Sequence, residues 1–254
     1  MDEGLTGGRV TGVEILRDSQ DLARRVAERF VGAAIVAVKN RKRFTVALAG
    51  GSTPRAAYQM LATPQYANQI NWESVHVWWG DERCVPPDDP QSNYRMARES
   101  LLDGVPIPLN QVHRIRGEDP PVAAAAAYED SLRESFGLSD GLDLILLGLG
   151  EDGHTASLFP GQPAVHEKIR WVLAEPIAAL GTWRVTLTPA FITRSREVVF
   201  LVSGTSKAAR LNQILHERAE RELSPAGVIA RGSKRVRWLV DREAAAELNV
   251  SGER

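Results

Sequence analysis

Cysteine is nearly absent from this chain of 254 residues, which contains only Cys84. A single cysteine excludes an internal disulfide framework, as is usual for proteins of a reducing compartment. No apolar run approaches the roughly 20 residues that a transmembrane helix needs. The first eight residues, MDEGLTGG, lack the basic and apolar regions of a signal peptide. We therefore expect a cytoplasmic protein that is not anchored to a membrane.

An excess of charge of either sign is also lacking. Lys and Arg total 31 and Asp and Glu total 32, so the formal net charge is -1. Without a basic field, neither nucleic acid nor an anionic membrane surface is an expected partner. Metal-ligand spacing is missing as well, both among four of the five histidines and between them and Cys84, so a metal site is not expected. These histidines are His76, His113, His166 and His216.

Apolar residues, in contrast, make up 43% of the chain, which is enough to bury a sizeable core. Short apolar runs alternate with segments whose apolar residues recur at helical spacing. This order is typical of an α/β fold with a mainly parallel sheet covered by helices on both faces. No repeat or linker divides the chain, so we expect a flexible tail at 1–8 and a single domain over 9–254.

The predicted strands end in glycine, acidic or hydroxyl-bearing segments. Strands are predicted at 10–15, 44–48, 75–79, 142–147, 171–174, 184–187, 198–202 and 236–240, with an edge strand at 112–115. Helices are predicted at 20–39, from Pro54, from Ser92 or Asn93 to 102, at 120–135, 206–216 and 225–230, and from Arg242. Because ligands bind at the carboxyl edge of a parallel sheet, the loops after these strands form the candidate site.

The segment 142–161, LDLILLGLGEDGHTASLFPG, contains the central loop of this site. His154 follows a buried strand, and Asp152 lies two residues before it, where a carboxylate can fix the imidazole tautomer. We interpret His154 as a proton carrier. A helix-capping or core histidine is the alternative. Two other loops, around Ser52 and around Arg83, are expected to converge on it.

The same loop contains Gly148, Gly150 and Gly153, which match the dinucleotide-binding pattern G-x-G-x-x-G. That pattern should open a long helix, but Pro160 and Gly161 would end any helix within two turns. The acids at 151 and 152 would also face a pyrophosphate. A nicotinamide cofactor is therefore not expected.

Two loops have the form of a phosphate cradle, in which backbone amides and the positive end of a helix favour a dianion. Lys207 closes one of them, the Gly-Thr-Ser-Lys turn. The other leads from a strand into a helix and consists of Gly50, Gly51, Ser52 and Thr53. No Gly-Lys-Ser/Thr follows it, so it is not a Walker P-loop. The alternative is an ordinary turn with a Ser or Thr cap.

A third loop begins with Asp81 and Arg83, directly after a Trp-Trp-Gly sequence. Arg83 offers a planar fork for a carboxylate, a phosphate or a developing oxyanion, and Asp81 can hold a sugar hydroxyl or orient a base. A solvated run of surface charge is the alternative. Cys84 lacks the histidine partner of a cysteine nucleophile, and the sequence has no Gly-x-Ser-x-Gly elbow, so cysteine and serine hydrolases are disfavoured.

Four segments together carry a family resemblance: AGGSTPRAAYQML, WWGDERCVPPDDPQSNYRMA, LLGLGEDGHTASLFPG and RVTLTPAFITRSREVVFLVSGTSKA. They resemble the 6-phosphogluconolactonases, within the glucosamine/galactosamine-6-phosphate isomerase superfamily. The resemblance runs from about Arg43 to Asp241. It implies a three-layer α/β/α, Rossmann-like fold and no metal or organic cofactor. It also implies hydrolysis of 6-phospho-D-glucono-1,5-lactone in the oxidative pentose phosphate pathway.

The resemblance further implies roles for individual residues. The catalytic histidine falls on His154, with Asp81 and Arg83 beside the reacting end. The substrate-binding residues are expected to be Gly50, Gly51, Ser52, Thr53, Arg83, Asp152, Arg184 and Lys207. We expect His154 to activate water at the lactone carbonyl while Lys207 and the glycine loop hold the 6-phosphate.

Two other functions remain open from the sequence. A glucosamine-6-phosphate deaminase would use similar loops and would need a carboxylate for proton transfer at C2, which Asp81 could supply. The other is a non-catalytic sugar-phosphate sensor. Related sensors carry an added DNA-binding segment, and no helix-turn-helix with a basic face precedes Val10. The expected partner is a small phosphosugar lactone, and the expected assembly is a monomer or a weak homo-oligomer.

Overall fold

Two sheets organise the chain, as seen in a computed structural model that describes residues 12–137, 140–178 and 181–248. The strands are β1 (Val13–Leu16), β2 (Phe44–Leu48), β3 (Val75–Trp79), β4 (Asp81–Arg83), β5 (Leu144–Gly148), β6 (Val172–Ile177), β7 (Thr182–Leu187), β8 (Val198–Val202) and β9 (Val236–Asp241). The helices are α1 (Ser19–Arg41), α2 (Ser52–Leu61), α3 (Pro64–Ala67), α4 (Asn93–Ser100), α5 (Pro121–Phe136), α6 (Pro189–Ile192), α7 (Ala208–His216), α8 (Arg218–Leu223) and α9 (Pro225–Gly232).

The larger sheet has six parallel strands in the order β1-β9-β8-β5-β2-β3. From β2 the chain moves outward to β3, whereas from β5 it moves the other way through β8 to β9. The direction of winding therefore reverses between β2 and β5. In open α/β sheets, ligands bind beyond the carboxyl ends of the strands at such a switch point.

Helices cover both faces of this sheet. Every residue of β2 and β8 is buried, and alternate side chains of a strand point to opposite faces. On α1, Leu22, Val26 and Phe30 are buried at helical spacing, and the Phe30 ring lies edge-on to Phe44 with centroids 5.2 Å apart. The predicted α/β fold with a mainly parallel, doubly covered sheet is confirmed.

The smaller sheet is antiparallel, in the order β4-β7-β6. Strands were predicted at β6 and β7, but a polar loop was predicted at β4, and the loop prediction is wrong. This three-residue strand directly follows Gly80, whose carbonyl accepts a hydrogen bond from the Leu187 amide at 2.8 Å. The antiparallel sheet therefore joins the main sheet at the end of β3, beside its carboxyl edge.

Two further predicted elements are wrong within the described residues. The predicted strand at 112–115 is reduced to a single bridge between Val77 and Val112. The predicted helix from Arg242 is a series of turns, because Asp241 caps the chain by accepting from the Ala244 amide at 2.8 Å. The chain then continues in turns up to Glu247.

Two tyrosines complete the hydrogen bonding where strands end near the carboxyl edge. The Tyr58 hydroxyl accepts from the Ala49 amide at 2.9 Å and donates to the Ala49 carbonyl at 3.0 Å. The Tyr128 hydroxyl makes the same pair of bonds with Trp79, at 2.8 and 3.0 Å. Burial raises the pKa of both phenols, so both stay protonated and able to donate. At Ala49 and at Trp79, one phenol thus makes the two backbone hydrogen bonds that a neighbouring strand would otherwise make.

The predicted tail at 1–8 lies outside the described residues, and so do residues 9–11. The single domain over 9–254 therefore stays a prediction. No helix in the described ranges is both long and apolar enough to cross a membrane.

Candidate active site

The loops that follow β2, β3, β5 and β8 surround a cavity of about 280 Å³ at the carboxyl edge of the main sheet. A second cavity of about 460 Å³ adjoins it and shares Asp81, Arg83, His154 and Lys207 with it. We call the two together the cleft. Every site residue predicted from the sequence lines it: Gly50, Gly51, Ser52, Thr53, Asp81, Arg83, Asp152, His154, Arg184 and Lys207.

His154 is oriented by Asp152. Its Nδ1 lies 2.6 Å from Asp152 Oδ1, and its backbone amide donates to the same oxygen at 3.0 Å. Burial raises the pKa of the Asp152 carboxyl, but the hydrogen bonds and charge of His154 outweigh burial and lower it. An ionised carboxylate can only accept, so Nδ1 carries the imidazole proton. The lone pair of Nε2 is then left to accept a proton from another group.

The loop after β5 is shaped to hold this pair. A Cβ on Gly150 would lie 2.1 Å from His154 Nδ1, so only glycine leaves room for the ring. The Phe159 ring packs against the imidazole with centroids 4.5 Å apart. Gly153 has a φ of +89°, which favours glycine. Turns rather than a helix occupy 151–153, so the prediction that no long helix opens here is confirmed.

The amino end of α2 forms another wall of the cleft. Gly51 precedes the helix with a φ of +104°, and no side chain caps the helix. The alternative of a Ser or Thr cap is therefore wrong. The amides of Ser52 and Thr53 have no acceptor among the residues that the structure describes, as expected in the first turn of a helix. Together with the positive end of α2, these amides suit an anion.

Asn93 connects this wall of the cleft to β4 and was not among the predicted site residues. A Cβ on Gly50 would lie 1.9 Å from Asn93 Oδ1, so the glycine lets the amide approach. Asn93 Nδ2 donates to the Asp81 carbonyl at 3.0 Å. Only 2% of Asn93 is exposed, and it lines the cleft. The Ser-Asn-Tyr sequence within the family-like segment was the available signal for it.

Lys207 ends a 3-10 turn, Thr205–Lys207, that follows β8. Its Nζ lies 3.4 Å from Glu151 Oε1, which brings the loops after β5 and β8 together. Hydrogen bonding to Ser206, and then to Lys207, lowers the pKa of the Glu151 carboxyl. Asp241 holds this turn in place by accepting from the Gly204 amide at 3.1 Å.

Two arginines are cross-strand neighbours in the antiparallel sheet: Arg83 on β4 pairs with Arg184 on β7. The Arg83 guanidinium donates to the Gln91 carbonyl. Arg184 Nη1 is buried and has no hydrogen-bond partner within the described ranges. Burial, and then the charge of Arg83, lowers the pKa of Arg184. Two adjacent guanidinium groups, one with a free donor, favour binding of an anion in the cleft.

Two acids of β4, Asp81 and Glu82, connect this strand to neighbouring segments by hydrogen bonds. Asp81 is 8% exposed, and its Oδ2 accepts from the Ser157 hydroxyl at 2.6 Å. Glu82 accepts from the amides of Asn93 and Tyr94, both at 2.8 Å. Burial raises the pKa of Glu82, although these hydrogen bonds oppose the rise. Neither Glu82 nor Ser157 was predicted as a site residue, because nothing in the sequence distinguishes them from ordinary polar residues.

Comparison with known proteins places the chain in a family. Residues 17–238 match the family model of glucosamine-6-phosphate isomerases/6-phosphogluconolactonase. The chain belongs to this family. A 6-phosphogluconolactonase of Mycobacterium tuberculosis is 40% identical over 247 residues, which cover 94% of this chain and 98% of that protein. A 6-phosphogluconolactonase of Nostoc is 38% identical over 243 residues, with the same coverage of both chains.

A solved structure supports the same assignment. The 6-phosphogluconolactonase of Trypanosoma brucei superposes with a TM-score of 0.83 at 30% identity, over 93% of this chain and 98% of that one. Among the residues described for this member of the glucosamine-6-phosphate isomerase/6-phosphogluconolactonase family, no three His, Cys, Asp or Glu side chains are grouped to hold a metal ion. The roles of the individual cleft residues stay predictions.

Proposed function

We propose that this protein hydrolyses 6-phospho-D-glucono-1,5-lactone to 6-phospho-D-gluconate. The proposal draws on the family membership and on the names of relatives that match nearly the whole chain. The observation that carries it is the Asp152–His154 pair, which lies in the same cleft as Lys207 and the amino end of α2. A proton acceptor and an anion site in one cleft are what a phosphorylated lactone requires.

In the proposed reaction, His154 Nε2 takes a proton from water as the water oxygen attacks the lactone C1 carbonyl. The carbonyl oxygen becomes an oxyanion in a tetrahedral intermediate. As this intermediate collapses, the C1–ring oxygen bond breaks and His154 returns the proton to the ring oxygen. Asp152 keeps Nδ1 protonated and stabilises the imidazolium form during the transfer.

Cations and backbone amides of the cleft would bind the charged parts of the substrate. Lys207 and the amides of Ser52 and Thr53 are assigned to the 6-phosphate. Arg83 and Arg184 are assigned to anionic oxygens, including the developing oxyanion. An oxyanion donor typically contributes about 2.7 to 4 kcal/mol to the transition state. Holding the remote phosphate orients C1 against His154.

The test separates chemistry from binding. His154→Ala should reduce kcat by about 10² to 10⁴ with little change in KM, because it removes the proton acceptor. Lys207→Ala should raise KM by about tenfold or more with a smaller effect on kcat, because it removes a charged hydrogen bond to the phosphate. Both are measured by consumption of freshly generated lactone, corrected for spontaneous hydrolysis. Full turnover in a folded His154→Ala protein contradicts the mechanism.

A second candidate is glucosamine-6-phosphate deaminase, since the family model also covers glucosamine-6-phosphate isomerases. Asp81, a buried carboxylate in the cleft, is the residue that would serve as its base. Both Asp81 oxygens already accept hydrogen bonds, from Ser157 and from Asn93, which favours an orienting role instead. Release of ammonia from glucosamine 6-phosphate would select the deaminase. Tight phosphosugar binding without turnover of either compound would select the sensor.

We also propose a cytoplasmic location and a monomer or weak homo-oligomer. The unpaired Cys84 is consistent with a reducing compartment. Sedimentation velocity measures the assembly directly, and cell fractionation measures the location.

A further inference from the structure

The amino edge of the main sheet, opposite the cleft, contains a separate cavity of about 780 Å³. One wall is a stripe of α1 that includes Arg29, Gly32 and Val36. The other wall consists of residues that precede β5, β8 and β9. None of the described residues that line this cavity also lines the cleft. We call it the amino-edge cavity.

Positive charge dominates this cavity. Among the described residues, its lining carries seven Lys or Arg side chains against four Asp or Glu side chains. Three of the acids are already held in ion pairs, as when Asp143 accepts from Arg41 at 2.6 Å. Lys234 and Arg235 are exposed and have neither an ion pair nor a side-chain hydrogen bond in the described part of the chain, and Asp140 is likewise unpaired. The remaining field attracts an anion.

Two buried polar atoms at the cavity lack partners. The Ser195 hydroxyl is buried without a hydrogen bond to any described residue, and only 1% of that residue is exposed. Arg29 Nε is also buried and unpartnered, although the other end of its guanidinium is paired with Glu197. Buried donors are nearly always satisfied in folded proteins. Two orphaned donors beside unpaired cations therefore indicate a ligand that supplies acceptor oxygens.

Gly32 leaves open surface in the middle of α1. A Cβ added there would meet nothing within 4 Å, so packing does not require glycine at this position. Glycine in a helix interior is unfavourable relative to alanine. Beside it, Val36 is 55% exposed. Gly32, Ala33 and Val36 thus form an apolar patch on a wall that otherwise carries charged side chains, and such a patch opposite unpaired cations suits a ligand with both an apolar part and an anionic part.

We propose that the amino-edge cavity binds a phosphorylated small molecule of nucleotide size. Its phosphate groups would lie against Lys234, Arg235 and the Ser195 hydroxyl, and its apolar part against Gly32 and Val36. The volume is within the range of small-molecule sites. This site is distinct from the cleft, and its ligand need not be the substrate.

Calorimetric titration with ATP in the presence of EDTA tests the proposal. The Lys207→Ala variant is used as the background, because it weakens phosphate binding in the cleft. We expect one ATP to bind per chain in this background, and the added double change Lys234→Ala and Arg235→Ala to weaken binding by at least about tenfold. Lys39→Ala with Lys168→Ala removes the same charge from exposed positions outside the cavity and should leave affinity unchanged.

Ser195→Ala distinguishes binding from stability. Because the hydroxyl has no partner within the described residues, its removal should not lower the melting temperature. It should weaken ATP binding by roughly three- to tenfold, as expected for one lost hydrogen bond. Inorganic pyrophosphate should bind more weakly than ATP, since it cannot use the apolar wall.

Three results would overturn the proposal. The first is ATP binding that vanishes in the Lys207→Ala background. The second is equal weakening by the Lys39/Lys168 control, which would indicate a diffuse charge effect. The third is pyrophosphate binding as tightly as ATP. The lactone assay is run in parallel without ATP on the Lys234→Ala, Arg235→Ala protein with Lys207 intact, which should retain native turnover. A failure of the ATP-binding proposal can therefore be told apart from a failure of the proposed lactonase activity.

Discussion

At the scale of single residues, the catalytic proposal depends on the Asp152 carboxylate staying ionised. Its lowered pKa keeps it an acceptor throughout the neutral range, so it holds His154 in the tautomer with the proton on Nδ1. Asp152→Asn can present an amide donor to Nδ1 instead, which favours the wrong tautomer. We expect kcat to fall by at least about tenfold with KM little changed. Steady-state kinetics over pH 5 to 9 checks this.

A purely structural role for Asp152 would give a different result. The Asp152→Asn protein would then lose stability and substrate affinity together, while its pH profile kept the native shape. Glu151→Gln is the matched control, because that neighbouring carboxylate contacts Lys207 rather than His154. It should alter KM and leave the pH profile of kcat unchanged.

A second residue-scale prediction concerns stability in acid. His76 Nδ1 lies 3.2 Å from His113 Nε2, and His113 stacks on Trp78 with centroids 4.0 Å apart. Burial, and then His76, lowers the pKa of His113 to about 4, whereas an unfolded histidine titrates near 6.5. Between pH 4 and pH 6.5 the unfolded chain binds more protons at this histidine than the folded chain does. The contribution of His113 to the free energy of unfolding is therefore fully present above pH 6.5 and is lost as the pH falls toward 4.

His113→Phe keeps an aromatic ring on Trp78 and removes this titration. The loss of unfolding free energy between pH 7 and 4.5 should be smaller than in the native protein by roughly 1 kcal/mol, a figure discounted because the ring is only half-buried. Urea unfolding at the two pH values measures it. His166→Gln, at an exposed position, should behave like the native protein. An unchanged pH dependence in His113→Phe would contradict the prediction.

At the scale of elements, Glu82 on β4 fastens the start of α4. Its carboxylate accepts from the Asn93 and Tyr94 amides and from the Ser92 hydroxyl. Glu82→Ala leaves these buried donors without an acceptor, so we expect a loss of about 2 kcal/mol of unfolding free energy. Substrate affinity should fall as well, because Asp81 and Arg83 flank Glu82 on the same strand. Urea unfolding and KM measure the two effects.

The control for this change is on the same helix. Glu99 is exposed on α4 and pairs with Arg95. Glu99→Ala should cost less than about 0.5 kcal/mol, as is typical of an exposed i,i+4 pair. Equal losses of unfolding free energy in the two variants would show that the Glu82 carboxylate contributes no more than an exposed ion pair does.

Comparison of β4 with the buried strands shows how far the sequence could predict the fold. The runs at 44–48, 75–79 and 198–202 were predicted with the observed bounds, because segments in which nearly every residue is apolar specify a strand buried on both faces. Asp81–Arg83 carries no such signal, since all three residues are charged, two of them line a polar cleft, and the pairing partner of the strand lies about 100 residues later. The edge strand at 112–115 was wrong because Tyr128 and a single bridge already satisfy that side of β3.

For the site, the sequence predicted which loops meet but not how their side chains are held. Parallel strands bring their carboxyl ends together, which is why His154, Ser52 and Lys207 could be expected in one place. Nothing in one sequence shows that Arg184 has an unpartnered nitrogen or that Asn93 packs on Gly50. Those facts depend on contacts between distant segments.

At the scale of the whole molecule, net charge and local charge differ. The chain carries a formal charge of -1, and the described cleft lining contains three cations, Arg83, Arg184 and Lys207, and three acids, Asp81, Glu151 and Asp152. Asp81 and Asp152 already accept hydrogen bonds from Ser157 and His154, whereas Arg184 Nη1 has no partner among the described residues. We therefore expect the cleft to attract a dianionic substrate at short range, an attraction that salt screens over about 10 Å at 0.1 M. We expect kcat/KM to fall several-fold between 20 and 200 mM KCl while kcat changes little.

Progress curves at fixed pH measure this dependence. Lys207→Ala should flatten it, since one of the attracting charges is gone, and Lys39→Ala should not. A kcat/KM that is independent of salt would mean that the phosphate is bound chiefly by backbone amides.

Tyr58 has a consequence for how the protein moves. It lies on α2, and its hydroxyl is bonded to both backbone groups of Ala49, the residue that follows β2. The amino end of α2, with the Ser52 and Thr53 amides assigned to the substrate, is therefore attached to the main sheet by Tyr58, about one and a half turns from the start of the helix. On the facing side of the cleft, the loop after β5 is held to the segment after β8 by Lys207 Nζ, 3.4 Å from Glu151 Oε1, and by Arg210 Nε, which donates to the Glu151 carbonyl at 3.3 Å. We therefore expect the Ser52 and Thr53 amides to keep their positions relative to the sheet when a sugar phosphate binds.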